Sequence, residues 1–394
     1  MPADSVGGPD AAPGSTSSLR VANQQRVVKV LQRTANGRPV TQADIARATS
    51  LAPATVSNIV RGLQAAGFVE TTAGAGRRGT TVRIARGAGL VVGIDFGHRH
   101  VRVAVGDLAG TILAETSRGI SPEHACEEGL VLAATMRDEL LTGLAADLDG
   151  VVSIGLGLPA PVGADGLVVS SSILPGWVGV KADDVAAERL GKPVIVDNDA
   201  NLGAVAEHRR GAGIGHSCMV FLKVSSGVGA GLIVDGRVFR GGAGTAGEVG
   251  HLTLDETGPV CRCGSRGCLE AYTSVTTVKE LLAAQHPGAT FGEIVAAARV
   301  GANASRRVIE DAGRQLGWGM AMVANLLNPT CLVVGGDMAQ AGDMLLDAIR
   351  AGMRRHALGS VGTSVEVRTA LLGDRASVLG ALLLALDSVE MELP

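Results

Sequence analysis

The chain has 394 residues, 46% of them hydrophobic and 19% charged, with 56 glycines and only 2% aromatic side chains. That length exceeds one ordinary domain, the composition excludes wholesale disorder, and no apolar run of about 18 residues is present to cross a membrane as a helix. The net charge of −3 hides a strong asymmetry: eleven Arg and Lys against Asp44 and Glu70 give Arg20 to Arg86 a charge of +9, which leaves −12 for the rest. A basic head on an acidic body is the electrostatic footprint of a nucleic-acid module attached to something that is not one.

Residues 1–18 are mostly Gly, Ser, Pro, Ala and Asp, without a basic start or an apolar core. They predict a disordered tail and no signal peptide, and so a cytoplasmic chain. The head, 19–86, predicts three helices in quick succession. Val27, Val28, Val30 and Leu31 give the first an apolar side. Thr41 is placed to cap a second helix, Gln42 to Thr49, with Ile45 and Ala46 facing inward. Pro53 opens a third, whose missing N–H is harmless in a first turn, and Val56, Ile59, Val60 and Leu63 recur there at core spacing. The opposite face carries Ala54, Thr55, Ser57, Asn58 and Arg61, the short polar groups and guanidinium that meet base edges and phosphates in a major groove. Phe68 to Thr71 and Thr81 to Ile84 then flank a Gly/Arg tip, and this hairpin wing offers Arg77 and Arg78 to phosphate or the minor groove. Helix-turn-helix bundles also serve as protein-binding modules; the polar face and the Arg-tipped wing favour operator DNA.

The body opens with Leu90 to Gly97, an apolar strand ending in Asp95 and a glycine turn, followed by strands Val101 to Val105 and Thr111 to Glu115. The same grammar returns in Cys218 to Val224, the glycine loop Ser225 to Gly229, and Ala230 to Val234. Two copies imply two lobes facing across a cleft, with glycine turns that present backbone N–H groups to phosphate oxygens. Between the copies, Val194 to Asp197 is a buried strand running into Asn198-Asp199-Ala200-Asn201 and a helix from about Leu202 to Arg210. An Asp at a strand's carboxyl end lies where α/β proteins bind ligands and can take a proton from a hydroxyl; equally, Asp197 or Asp199 can simply cap the helix.

Further on, Gly247-Glu248-Val249-Gly250-His251 precedes Cys261-Arg262-Cys263-Gly264-Ser265-Arg266-Gly267-Cys268-Leu269-Glu270. Three thiolates from Cys261, Cys263 and Cys268 with His251 make a tetrahedral Cys₃His set for a structural Zn²⁺, and three is an odd number for disulfides in a cytosolic chain. Cys126, Cys218 and Cys331 stand alone in apolar contexts and read as core. The zinc clip would hold Glu248 and Glu270 where they can accept hydrogen bonds from sugar hydroxyls, or support the metal ligands instead.

These motifs resemble the ROK family of sugar-responsive repressors, open reading frames and sugar kinases, over roughly residues 19–390. The most specific match is Gly247 to His251 with the Cys261-x-Cys263 and Gly267-Cys268-Leu269-Glu270 runs; Asp197 to Asn201, and Asn328-Pro329 before Val333 to Gly336, also fit. The head looks like that of the repressor branch. The resemblance implies a two-lobed actin-like, hexokinase-like α/β ATPase fold: lobe 1 over 87–198, completed by a helix within 374–394, and lobe 2 with the zinc site over 199–373. It implies that Asn198, Asp199, Glu248, His251 and Glu270 contact a sugar, and that Asp199 is the general base in the family's kinases. Asp95, Gly97, Gly227 and Gly229 correspond to its nucleotide-phosphate loops.

The chain departs from the kinases at three places. Bulky His98-Arg99-His100 follows Gly97, Ser225-Ser226 replaces a Gly-Thr pair, and Ile173 stands where sugar-binding members usually carry Asn. The first two weaken the case for Mg-ATP, while Arg99 leaves room for a phosphorylated effector. The expectation is a sugar-sensing repressor that binds double-stranded operator DNA as a homodimer or homotetramer. The alternative is an ATP-dependent sugar kinase with an accessory DNA-binding head.

Overall fold

The computed structural model describes residues 16–33, 39–73, 79–85, 87–169 and 174–389. Its chain contacts divide it into two units, one built on the residues up to Leu90 with the Gly106–Leu113 segment, the other on Val91–Val105 and Ala114–Ser388. No helix among the described residues is long and apolar enough to cross a membrane.

The first unit contains α1 (Thr16–Arg33), β1 (Val40–Thr41), α2 (Gln42–Thr49), α3 (Pro53–Ala65), β2 (Val69–Thr72) and β3 (Thr81–Ile84). Helix α1 starts at Thr16, inside the stretch expected to be a tail. Thr41 caps α2 as its side chain predicts: Oγ1 accepts from the Asp44 N–H at 3.1 Å, and Asp44 closes a capping box back onto Thr41. Ser50 takes a left-handed φ of 57° at the α2 C-terminus and turns the chain into α3, whose first residue is Pro53. Val27, Val28, Leu31, Ile45, Val56, Ile59, Val60 and Leu63 are buried together in the head, each contributing about 1.5–3 kcal/mol of apolar burial. Val30 and Ala46, expected inside as well, are only half-buried. The sheet order is β1-β3-β2, so the wing is a three-stranded sheet and not the lone hairpin expected. Strand β1 is too short to carry a period-2 pattern, and Val40 pairs with Val82. The wing tip with Arg77 and Arg78 lies outside the described residues.

In the second unit, β4 (Leu90–Phe96), β5 (His100–Asp107), β6 (Ile112–Gly119), α4 (Cys126–Gly143), β7 (Val151–Leu158), α5 (Ala182–Leu190) and β8 (Val194–Asn198) lead into α6 (Asp199–Arg210). Then come β9 (Met219–Val224), β10 (Val228–Val234), β11 (Arg237–Val238), α7 (Leu269–Thr273), α8 (Val275–Leu281), α9 (Phe291–Arg299), α10 (Asn303–Leu327), β12 (Cys331–Gly335), α11 (Asp343–His356), α12 (Gly359–Ser364), β13 (Glu366–Thr369) and α13 (Ala376–Ser388). The two five-stranded sheets run β6-β5-β4-β7-β8 and β11-β10-β9-β12-β13, the same order twice, which is the duplication that the strand grammar announces. Helices α10 and α11 cover the second sheet, with Leu316, Met320, Leu345 and Ile349 buried against Leu222, Leu332 and Val334.

The last helix, α13, returns to the first sheet and also packs along α6. Its approach to β7 is so close that a Cβ on Gly155 would lie 1.9 Å from the Ala381 carbonyl oxygen, so only glycine fits there. Two boundaries near the cleft differ from expectation. Helix α6 begins at Asp199, three residues earlier than its apolar pattern, because Asn198 and neither aspartate supplies the cap. Strand β10 begins at Val228, which puts Gly229 in the ladder opposite Lys223 and shrinks the glycine loop to a tight turn closed by the Ser225 N–H on the Gly227 carbonyl at 2.8 Å.

Candidate functional site

Between the two sheets of the body lies a cleft of about 1710 Å³, and the loops at the carboxyl ends of β4, β8 and β9 line it. The junction of β8 and α6 builds its floor. Asn198 Oδ1 accepts from the N–H groups of Ala200 (2.9 Å) and Asn201 (3.2 Å), while its Nδ2 donates to the Ala160 carbonyl at 3.2 Å. That cap fixes the first turn and places Asp199 at the positive end of the helix, where a carboxylate is favoured. Asp197 is turned the other way: its Oδ1 accepts from Asn201 Nδ2 at 2.9 Å, and its Oδ2 accepts two bonds from Arg240 at 3.0 and 2.6 Å. Asp197 is thus a structural anchor, and Asp199 is the carboxylate that faces the cleft.

Asp199 is already paired. Lys223 Nζ on β9 donates to Asp199 Oδ2 at 2.7 Å and to Ser377 Oγ on α13 at 3.1 Å. Burial alone would push the ammonium's pKa down, but the charges of Asp199 and Asp95 and the hydrogen bond to Asp199 outweigh it and hold the pKa above the ordinary lysine value. Burial pushes Asp199 up, and Lys223 opposes it. Nothing in the local sequence pattern marks Lys223, which sits at an inward position of an otherwise apolar strand.

Glu248, half-exposed at the cleft wall, is pushed up to about 7 by burial, with the charges of Asp199 and Glu270 adding to it. Glu270 is more constrained than its expected sugar contact suggests. One of its oxygens accepts from the Val228 N–H at 2.8 Å and the other from Arg262 Nε at 2.6 Å, tying α7 to the β9–β10 turn. All four acidic and amide side chains expected at the sugar, Asn198, Asp199, Glu248 and Glu270, line the cleft, as does His251.

His251, Cys261, Cys263 and Cys268 bring one donor atom each within 4.8 Å of one another. Cys263 and Cys268 Sγ are 3.7 Å apart, and Cys261 Sγ lies 3.8 Å from His251 Nδ1. An ion held tetrahedrally at about 2.3 Å from thiolate sulfur imposes edges of about 3.8 Å, so the cluster has the size of a metal site. Burial and the neighbouring thiols push Cys268 up to about 12, so an ion that binds there must displace its proton. Of the other cysteines, Cys126 and Cys331 are buried, but Cys218 is only half-buried, its Sγ 3.7 Å from the Leu327 carbonyl.

The positions expected to receive nucleotide phosphate, Asp95, Gly97, Gly227 and Gly229, also line the cleft. Asp95 is buried, and the His100 ring lies over Gly97 so closely that a Cβ there would stand 2.1 Å from it; His100 Nε2 sits 3.4 Å from Asp95 Oδ2. Gly227 closes the tight β9–β10 turn, and Gly229 is in the strand.

In the first unit, α3 presents Ala54, Asn58 and Arg61 exposed, with Thr55 and Ser57 half-buried beside them. The wing carries an ion pair that the sequence reading missed, Arg83 to Glu70 at 2.6 Å across β3 and β2.

Residues 91–388 match the ROK family, and residues 25–79 match the MarR family. The chain belongs to the ROK family. It is 27% identical to the xylose repressor of Bacillus subtilis (strain 168) over 94% of this chain and 98% of that protein. It is 32% identical to a glucokinase of Halalkalibacterium halodurans, over 73% of this chain and 92% of the enzyme. Among solved structures, a ROK family transcriptional regulator described as a homologue of E. coli MLC protein superposes with a TM-score of 0.80 at 27% identity, covering 94% of this chain and 97% of the other. A ROK family glucokinase from Streptomyces griseus, in complex with glucose and AMPPNP, gives 0.63 at 30% identity over 75% of this chain and 99% of the enzyme.

Proposed function

We propose that this ROK-family chain is a sugar-responsive transcriptional repressor that binds operator DNA through α3 and the wing and an effector sugar in the cleft. One observation carries the reading: repressors match this chain from head to tail, whereas the glucokinases match only its body. The exposed polar face of α3 and the +9 charge of the head supply the chemistry that such a function needs.

In this reading Asn198, Asp199, Glu248 and Glu270 receive sugar hydroxyls, with Asp199 and Glu248 the acceptors that have capacity to spare. The metal is zinc: a Cys₃His set suits a borderline-soft ion, and four protein ligands leave no open position, so the site is structural. It holds the loop between Glu248 and Glu270, and His251 belongs both to the clip and to the cleft wall. A homodimer would match a pair of operator half-sites. Sugar shifts DNA affinity only as far as it binds the two conformations of the protein unequally.

The test is fluorescence anisotropy on labelled DNA from upstream of the chain's own gene, with and without D-xylose, D-glucose and N-acetylglucosamine. The expected outcome is tight binding that weakens steeply with salt and responds to one sugar. Replacing Arg61 with Ala should weaken it by about 1–3 kcal/mol, roughly five- to a hundredfold. Undiminished affinity in Arg61→Ala would remove α3 from the interface. The kinase alternative keeps one observation in its favour, the 32% identity of a glucokinase over the body, and turnover of a sugar with Mg-ATP would establish it.

A further inference from the structure

Asp95 in β4 and Asp199 at the start of α6 put two carboxylates beside the cleft floor. In a site built to transfer a phosphoryl group, such carboxylates would meet a hydrated divalent ion, which needs oxygen ligands at about 2.0–2.1 Å in near-octahedral array. Here the floor already has a cation. Lys223 reaches up from β9, 2.7 Å from Asp199 Oδ2 and 3.1 Å from Ser377 Oγ, and its side chain is only 22% exposed. Ser377 in turn donates to the Asp199 backbone carbonyl at 3.1 Å, so β9, α6 and α13 all hold the ammonium in place. On the first-lobe side, His100 fills the glycine turn and faces Asp95.

We propose that the Lys223 ammonium is a resident cation that takes the place of a divalent metal at the cleft floor, making the site a receptor for an uncharged sugar without nucleotide or metal. The proposal rests on the cleft being the sugar site and adds how that site is kept from metal-nucleotide chemistry. A second cation beside Lys223 would meet like charge in a poorly solvated place, and Asp199 Oδ2 would have to give up its ion pair to ligate it. A sugar hydroxyl asks for less. It can donate to a carboxylate that keeps its lysine, because a carboxylate accepts up to about four hydrogen bonds.

The experiment compares zinc-loaded full-length protein with Lys223→Met, which keeps the aliphatic stem and removes the charge. Mn²⁺ binding is followed by the loss of the free-ion electron paramagnetic resonance signal, with and without AMPPNP. Wild type should leave Mn²⁺ free at millimolar concentration, and Lys223→Met should bind one ion per chain at least tenfold more tightly. Adding Asp199→Asn to Lys223→Met should abolish the gain. Lys223→Gln gives the same reading should the Met variant fail to fold, and Lys223→Arg, which retains the charge, should behave as wild type. Wild-type protein that binds one Mn²⁺ as tightly as Lys223→Met overturns the proposal, and so does a folded neutral variant that gains no site. Sugar titrations on the same preparations keep the two readings apart: wild type that takes no sugar overturns the cleft as a sugar site, whatever the manganese result.

Discussion

The two ends of the cleft are built from similar parts and have opposite characters. At the end proposed for the sugar, Asn198 spends its side chain on capping α6 and on Ala160, while Glu248 faces the space above and Asp199 faces it with one oxygen held by Lys223. At the phosphate end the charged and aromatic groups satisfy one another: His100 covers Gly97 and faces Asp95, and Lys223 neutralises Asp199 from below. The cleft of about 1710 Å³ thus carries acceptors at one end and internally paired groups at the other. Three substitutions test that contrast, beginning with the strongest.

Breaking the clip should do most damage to the sugar end. Cys263→Ser removes one of the four proposed ligands, and structural zinc sites with such a donor set hold on the order of 10–16 kcal/mol of coupled binding and folding free energy. The expected outcome is metal content near zero after dialysis against a mild chelator, a lower unfolding temperature, and loss of sugar binding as the loop bearing Glu248 and Glu270 relaxes. Elemental analysis and calorimetry on the same sample decide it; full zinc occupancy in Cys263→Ser would break the assignment of the clip. Next in size, Asp199→Asn keeps the shape and removes the charged acceptor. A hydrogen bond to a charged group is worth about 1.5–3 kcal/mol, so sugar affinity should fall roughly ten- to a hundredfold, with DNA binding in the absence of sugar as the internal reference. Unchanged sugar affinity would move the ligand away from α6 and collapse the distinction between the two ends.

What could be read from the sequence was what is local in it. The capping box at Thr41 spans three residues, Pro53 announces the start of α3, and Cys261, Cys263 and Cys268 fall within one loop, so spacing alone exposes them. The duplicated strands were readable because burial imposes an apolar run on each. That Asn198, and not Asp197 or Asp199, caps α6 could not be read from the sequence, because all three are capping types and only hydrogen-bond geometry tells them apart. Lys223 was invisible for a different reason. Its partners Asp199 and Ser377 stand 24 and 154 residues away, and a lysine in an apolar strand has no period or motif to mark it; only the meeting of β9, α6 and α13 gives it a role. His100 likewise reads as a bulky neighbour of Gly97 until the β4–β5 turn folds its ring over the glycine.

The smallest effect is the sharpest test of what Lys223 contributes. Ser377 Oγ accepts from Lys223 Nζ and donates to the Asp199 carbonyl, both at 3.1 Å, so Ser377→Ala loosens the pair without removing either charge. The loss should be about 1–2 kcal/mol of stability, since one hydrogen bond to a charged group goes while the ammonium keeps its carboxylate. Sugar affinity should change no more than about two- to threefold, because Asp199 stays at the end of α6 under its Asn198 cap. Above all, Ser377→Ala should gain no Mn²⁺ site, because the positive charge that repels the ion is still present. If Ser377→Ala took up manganese as Lys223→Met is expected to, the closed character of the phosphate end would lie in the exact seating of the pair on α13 and not in its charge. Denaturant unfolding and the manganese titration on this one variant separate the two explanations.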